Sequence, residues 1–287
     1  MKNFRANNIN SYGRYFALGF WGFFTLFPLY WMAVTAFKKP KDIFQGPFYI
    51  PGIDFDPTMR SWEYLSNEGF SAFVRALANS ILYASVSAFF AVLLGAFAAY
   101  GLARFEYRYG PMKNNDISFM IISQRMMPPI VAVIALYMMY RWAGLLDNRF
   151  GMILVYTWYN LPLTVFLLTD FMRRIPLDIE HAAAIDGYSK VSQIWHVMLP
   201  LSMPGLTAAY LLSFLFAWND FLLALMLTFR EAQTLPIVIT TWSAKMNPQW
   251  WLLSAAGIVA VLPPIIAAVI LDRYMERQVL RGGTRQT

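Results

Sequence analysis

The chain contains no cysteine and only two histidines, and charged residues make up just 14% of its 287 positions. Without cysteine there is no disulfide, no thiolate nucleophile and no thiol to carry a lipid. The two histidines, His181 and His196, sit in one polar stretch, so no Cys/His cluster can hold a metal ion and a serine nucleophile elsewhere lacks its base. Neither a G-x-S-x-G elbow nor a G-x-x-x-x-G-K-[ST] phosphate loop occurs. No catalytic residue and no metal site are therefore assigned. Fixed-period repeats and low-complexity tracts are absent as well.

What the chain has in excess is apolar sequence, 58% of residues with a mean hydropathy of +0.45. Six segments, near 15–37, 77–103, 117–140, 150–171, 205–229 and 252–271, each supply the roughly 20 apolar residues needed to cross a hydrocarbon core of about 30 Å. Separate flanks of Arg, Lys, Asp, Glu and Pro argue against buried helices of one large soluble domain. The predicted fold is an all-α polytopic membrane protein with six transmembrane helices. Its organisation reads as 1–76 (head, first span, long outer loop), 77–272 (five further spans and a polar loop at 175–204) and 273–287 (tail).

Basic residues set the orientation. The head (Lys2, Arg5, Arg14), the second loop (Arg104, Arg108, Lys113), the fourth loop (Arg173, Arg174, Lys190) and the tail (Arg273, Arg277, Arg281, Arg285) carry thirteen, against nine in the other loops. Both termini are placed in the cytoplasm. The net charge of +7 then reflects membrane orientation and not a nucleic-acid surface. Residues 34–36 have the small-residue spacing of a cleavage site, but the apolar stretch before them exceeds the roughly 7–15 residues of a signal h-region. The outer loop 38–76, with Pro40, Pro47, Pro51, Pro57, Gly46 and Gly52, is expected to begin irregularly. Asp54, Asp56, Glu63 and Glu68 balance its basic residues, and 58–73 is predicted to form a short surface helix.

The polar loop is the most regular local signal. Pro176 suits a first helical position, Asp178 and Glu180 suit the first turn, Ala182 to Ala184 favour helix, and Gly187 suits a left-handed stop. Ser189 can cap a second helix on which Val191, Ile194, Trp195 and Met198 fall at i, i+3, i+4 and i+7, with Pro200 and Pro204 ending it. Two short helices meeting at a glycine form a knuckle, readable as a docking surface for a soluble partner or as an interfacial helix on lipid.

The run Glu180–Pro200 resembles the EAA loop of permease subunits of bacterial ABC importers, with Ala182, Ala183, Ile185, Asp186, Gly187, Leu199 and Pro200 at matching positions. Pro28 to Trp31, Asn79-Ser80, Ala98 to Phe105, Pro128-Pro129, Gly144 to Asp147 and Trp218 to Phe221 extend the likeness in order. The branch it is similar to is carbohydrate uptake, in the manner of the smaller maltose-permease subunit. The resemblance implies a type I ABC importer transmembrane domain in a bacterial inner membrane. It also implies a second homologous permease subunit, a homodimeric ABC ATPase that binds ATP and Mg, and an extracytoplasmic solute-binding protein. On this likeness the coupling residues are Glu180, His181, Ala182, Ala183, Asp186, Gly187, Val191, Ile194, Trp195, Leu199 and Pro200. The usual motif glutamate falls on His181, and Glu180 reaches the same face only by a turn of about 100°. An ATP-independent transporter or channel is the rival reading.

Polar residues within the spans are candidates for a solute path, because a charge at mid-bilayer costs about 2.5–3.5 kcal/mol and usually faces a cavity or a partner. Trp218, Asn219 and Asp220 in the fifth span lead, with Asn160, Tyr159 and Trp158 in the fourth; helix-tying is the alternative role. Arg125 in the third span lies about 10 Å from Asp220 in depth by helical rise, too far for an ion pair, and is read as a snorkelling side chain or a path residue.

Overall fold

The computed structural model describes residues 3–46, 48–67, 70–243 and 248–283. Lys2, Pro47, Glu68 and Arg285, which entered the reading of the loops and orientation, lie outside them. Among the described residues the chain is helical, and β pairing is limited to the isolated bridges Pro51–Phe55 and Tyr109–Met112. The helices run α1 (Asn3–Thr35), α2 (Pro40–Gln45), α3 (Arg60–Ser66), α4 (Phe70–Arg104), α5 (Asn114–Met126), α6 (Pro129–Trp142), α7 (Arg149–Arg173), α8 (Leu177–Ile185) and α9 (Lys190–Gln193). A π-helical turn (Ile194–Met198) leads into α10 (Leu199–Leu201), followed by α11 (Met203–Trp218), α12 (Leu222–Leu227), α13 (Leu235–Ser243) and α14 (Trp250–Gly283). Among the described residues four helices are long and apolar enough to cross a membrane, or up to six spans if each of two bent pairs counts as one.

The chain divides into two compact units, Met1–Ser71 with Ile239–Val261, and Ala72–Val238 with Leu262–Thr287. In the first, α1 leaves Phe20, Trp21, Phe23 and Phe24 exposed, as a membrane helix can and a soluble one rarely does. The outer loop is more ordered than its prolines predicted. Pro40 starts α2, and the 58–73 helix contracts to α3. Lys38 folds inward, with Nζ 4.0 Å from the Trp31 ring centre, and is 1% exposed. Burial lowers its pKa, against the opposing pull of Asp42 and Asp54.

The second unit holds the spans from α4 to α12 and the later part of α14. One face of α4 is built of small residues, Ala84, Ala88, Ala91, Gly95, Ala96 and Ala99, all buried, which lets α7 approach closely. The Thr164 hydroxyl of α7 donates to the Ala91 carbonyl at 2.9 Å. A Cβ on Gly95 would stand 2.5 Å from the Thr164 Oγ1, so any side chain there would part the two helices.

Two predicted spans are broken. The third is not one helix over 117–140, because α5 and α6 meet at 85°. The cause is local: Met127 and Pro128 each precede a proline, which disfavours helical backbone, and both are extended (ψ 130° and 127°). The fifth span stops at Trp218 and resumes as α12. Asn219 donates its amide to the Leu215 carbonyl (2.8 Å), and the Asp220 carboxylate accepts the Ala224 N–H (3.2 Å), so the two polar side chains close the facing helix ends.

Candidate functional site: the knuckle and the broken spans

The knuckle forms as its caps dictate, with two corrections. Pro176 precedes the helix and does not open it; α8 begins at Leu177. Helix α8 closes through a Schellman motif, in which Tyr188 N–H bonds the Ala183 carbonyl (3.0 Å) and Gly187 N–H the Ala184 carbonyl (3.1 Å). Gly187 has φ 88°, the left-handed backbone such a stop requires. The Ser189 hydroxyl accepts from Ser192 N–H and caps α9. The second correction concerns the apolar stripe. The wide turn Ile194–Met198 breaks the 3.6-residue period and carries the chain through Pro200, so the stop comes at Ser202, where the axis bends by 72°. Val191 and Trp195 are left exposed, Ile194 packs against the core and Met198 is fully buried within it.

Two buried polar side chains hold the knuckle. Gln193, 1% exposed, donates to the Tyr188 carbonyl (2.9 Å) and so ties α9 to the turn after α8. Glu180, 3% exposed, pairs with Arg104 at the end of α4 and accepts from the Tyr100 hydroxyl (2.9 Å). The Arg104 fork also reaches the Ile175 carbonyl (2.9 Å). Its Nη2 lies 4.0 Å from the Met198 sulfur. Around them Ala96, Ala99, Tyr100, Leu168, Met172, Met198 and Ala209 form one apolar cluster, so α4, α7, α11 and the knuckle share a core. With the Arg104 charge in contact and a phenol hydroxyl on the second oxygen, Glu180 is satisfied internally.

Glu180 and His181 therefore take different faces of α8, one buried and one exposed. Glu180 faces the spans, while His181, Ala182 and Asp186 face out. The outward face adds Ile185 (87% exposed) and Tyr188 (43%) to Val191 (65%) and Trp195 (52%), an apolar surface broader than the stripe read from the sequence. Trp195 also meets the Phe97 ring of α4 edge-on at 6.0 Å. Ala183 is buried, Leu199 half-buried and Pro200 exposed.

The path candidates separate into two groups. In one, Arg125 turns into the bundle. Its Nη1 donates to the Tyr159 carbonyl (2.8 Å) and the Asn160 Oδ1 (3.3 Å), and its guanidinium stands over the rings of Tyr159 (4.7 Å) and Phe216 (4.3 Å). Asn160, 1% exposed, also donates to the Ser213 carbonyl of α11 (3.3 Å). In the other, the Tyr156 hydroxyl donates to Asp220 at 2.9 Å. Trp218 is 4% exposed and stacks on Phe214 (5.9 Å, 14°), whereas Asn219 is exposed. Among the described residues no ion pair joins Arg125 to Asp220.

One cluster escaped the sequence reading. The Asp147 carboxylate, from a residue with φ 52°, accepts the N–H groups of Phe229, Arg230, Glu231 and Ala232 at 3.0–3.1 Å. Asn79 bonds the carbonyls of Glu231 (2.8 Å) and Gln233 (3.0 Å), and Ser80 accepts from Leu235 N–H (2.8 Å). Burial raises the Asp147 pKa, but the four N–H groups outweigh it and hold the carboxyl below its ordinary range. The only signal in the sequence was that Asn79-Ser80 and Gly144 to Asp147 sat in the ordered likeness.

Comparison with known proteins gives the class. Residues 91–281 match the model of the family described as "binding-protein-dependent transport system inner membrane component". The chain belongs to this family; it is a permease subunit, the inner-membrane part of an importer that works with a binding protein. It is 34% identical to the trehalose transport system permease protein SugB of Mycobacterium tuberculosis, over 91% of this chain and 93% of that one. It is 31% identical to the sulfoquinovosyl glycerol transport system permease protein SmoH of Agrobacterium fabrum, over 91% and 89%. The fold is similar to a chain of a bacterial ABC transporter involved in the import of the acidic polysaccharide alginate, with a TM-score of 0.75 and 20% identity over 94% of this chain and 98% of that one.

Proposed function

We propose that this permease subunit imports a sugar or glycoside, driven by a separate cytoplasmic ATPase that seats against the outward face of the knuckle. The observation that carries the coupling role is the two-sided construction of 175–204. Its inner side is bonded to α4 through Glu180 and Arg104 and buried through Met198. Its outer side presents Ile185, Tyr188, Val191 and Trp195. A rigid element with one side in the span core and one apolar side free is suited to carry a partner's movement into the spans. The names of the relatives supply the substrate class, trehalose and sulfoquinovosyl glycerol both being glycosides.

The working assembly would contain this chain, a second homologous permease, two copies of the ATPase with their ATP and Mg, and an extracytoplasmic binding protein. Both termini and the knuckle would face the cytoplasm, and Tyr159, Asn160, Trp218, Asn219 and Asp220 would flank the path. His181 replaces the motif glutamate on the outward face, so contact with the ATPase there would rely on apolar packing more than on charge.

The test is reconstitution of the assembly in proteoliposomes. ATP-dependent uptake of a glycoside delivered by the binding protein is expected, as is co-purification of the ATPase with this chain. Uptake that persists without the ATPase would overturn the reading.

A further inference from the structure

The break in the third span places a cation where the described residues supply no opposite charge. Arg125 is the second-to-last residue of α5, beside the extended Met127-Pro128 link. Its guanidinium carbon stands over the rings of Tyr159 at 4.7 Å and Phe216 at 4.3 Å. One edge is bonded through Nη1 to the Tyr159 carbonyl and Asn160. Nε and Nη2 have no acceptor among the described residues, and no carboxylate lies within ion-pair distance. Those donors are also not sealed off, since the residue is only half-buried. A cleft lined by Arg125, Gln124, Trp158 and Tyr159, and otherwise by apolar side chains such as Leu136 and Leu223, opens beside the residue.

The size of that cleft narrows the occupant. Its inner volume is about 30 Å³, room for about two waters or one small oxyanion and too little for a sugar ring. Trp158 on its wall is 49% exposed, offering an aromatic face of the kind that sugar rings stack on. A planar fork with one free edge matches a carboxylate or sulfonate in two-point contact better than it matches a single hydroxyl.

We propose that Arg125 and the cleft at the α5–α6 break form a subsite for the anionic group of an acidic glycoside, with Trp158 receiving its ring. The proposal rests on the glycoside-importer reading and deepens it. The carboxylate or sulfonate enters the cleft and bonds the free guanidinium edge, while Tyr159, Phe216 and Asn160 hold the guanidinium in place. A neutral glycoside lacks the charge that completes the site and is held less well.

Binding to the purified permease–ATPase complex in detergent, without binding protein, tests the subsite directly. The probes are glucuronate, glucose and inorganic sulfate, followed by calorimetry or saturation-transfer NMR. Glucuronate is expected to bind at least about tenfold tighter than glucose, and Arg125→Gln is expected to erase that difference. Trp158→Ala, at an exposed position, is expected to weaken glucuronate and leave sulfate unchanged. Equal binding of glucuronate and glucose to the wild type, or glucuronate binding that survives Arg125→Gln, would overturn the subsite. Release of the second permease from the Arg125→Gln complex would also overturn it, by making the arginine a clasp between subunits. ATP-driven uptake in proteoliposomes is read separately: if no glycoside is imported the importer reading fails, whereas glycoside import without glucuronate binding sinks the subsite alone.

Discussion

The knuckle and the broken spans lie in the same compact unit and treat buried charge in opposite ways. In the knuckle the Glu180 carboxylate meets the Arg104 guanidinium and the Tyr100 hydroxyl, so charge is matched within the chain. At the α5–α6 break the Arg125 guanidinium is held by two rings, one carbonyl and Asn160, yet among the described residues no carboxylate completes it. A closed ion pair gives a stiff joint, because opening it exposes charge to a poor solvent. An incomplete site leaves something for another molecule to supply. On the proposed reading, the closed joint is suited to transmit movement and the open site to meet a solute.

The largest effect is expected from opening the closed pair. Arg104→Ala leaves Glu180 buried and unpaired, at a cost of about 3–5 kcal/mol, and both the melting temperature of the complex and uptake should fall sharply. Replacing the pair together, as Arg104→Met with Glu180→Leu, should restore most of the melting temperature. If the pair transmits movement, ATP hydrolysis in that double variant runs on with poor uptake. Full recovery of uptake with stability would reduce the pair to packing.

A smaller effect is expected at the hinge of the knuckle. Gly187→Val forces a β-branched residue to φ 88° and should cost about 1–3 kcal/mol. Co-purification of the ATPase should weaken while the spans remain inserted. Unchanged ATPase retention would show that the Schellman turn does not shape the docking face.

Asp147 offers a contrast on the 228–235 loop, because it is a closed site with a single charge and backbone donors. Its folded-state pKa is depressed, so its contribution is present above the unfolded value of about 3.9 and is lost as pH falls through the lower folded value. Thermal melts of the wild type should therefore lose this increment only in strong acid. Asp147→Ala should lower the neutral-pH melting temperature by an amount corresponding to about 2 kcal/mol and remove that acid-dependent step. An unchanged acid profile in the variant would place the titrating group elsewhere.

The smallest effect should come from Asn219→Ala. The side chain is exposed and bonds one carbonyl at the end of α11, so stability should fall by about 1 kcal/mol or less. Uptake normalised to intact complex separates its two readings. A fall in normalised uptake marks Asn219 as a path residue, whereas an unchanged value leaves it as a helix-end cap.

The sequence by itself determined the class, the apolar stretches able to span a membrane and the caps of the knuckle. Those depend on composition, apolar length and short-range chemistry: six apolar stretches, Ser189 as a cap, Gly187 as a left-handed stop. The break at Pro128-Pro129 was also legible, since a residue before proline resists helix, but apolar length masked it. Which way Glu180 and Arg125 point was settled by tertiary structure alone. A helical period ranks faces only when one face is plainly apolar, and α8 is a short run of alanines between polar residues. Arg104 lies 76 residues from Glu180, and Arg125 lies 34 from Tyr159. Likewise Asp147 finds its four N–H donors 82–85 residues away. The π-turn at Ile194–Met198 belongs with these, because it takes Met198 into a core formed with α4, α7 and α11. Charge partners that distant in sequence are chosen by how the spans pack, and no local pattern encodes that packing.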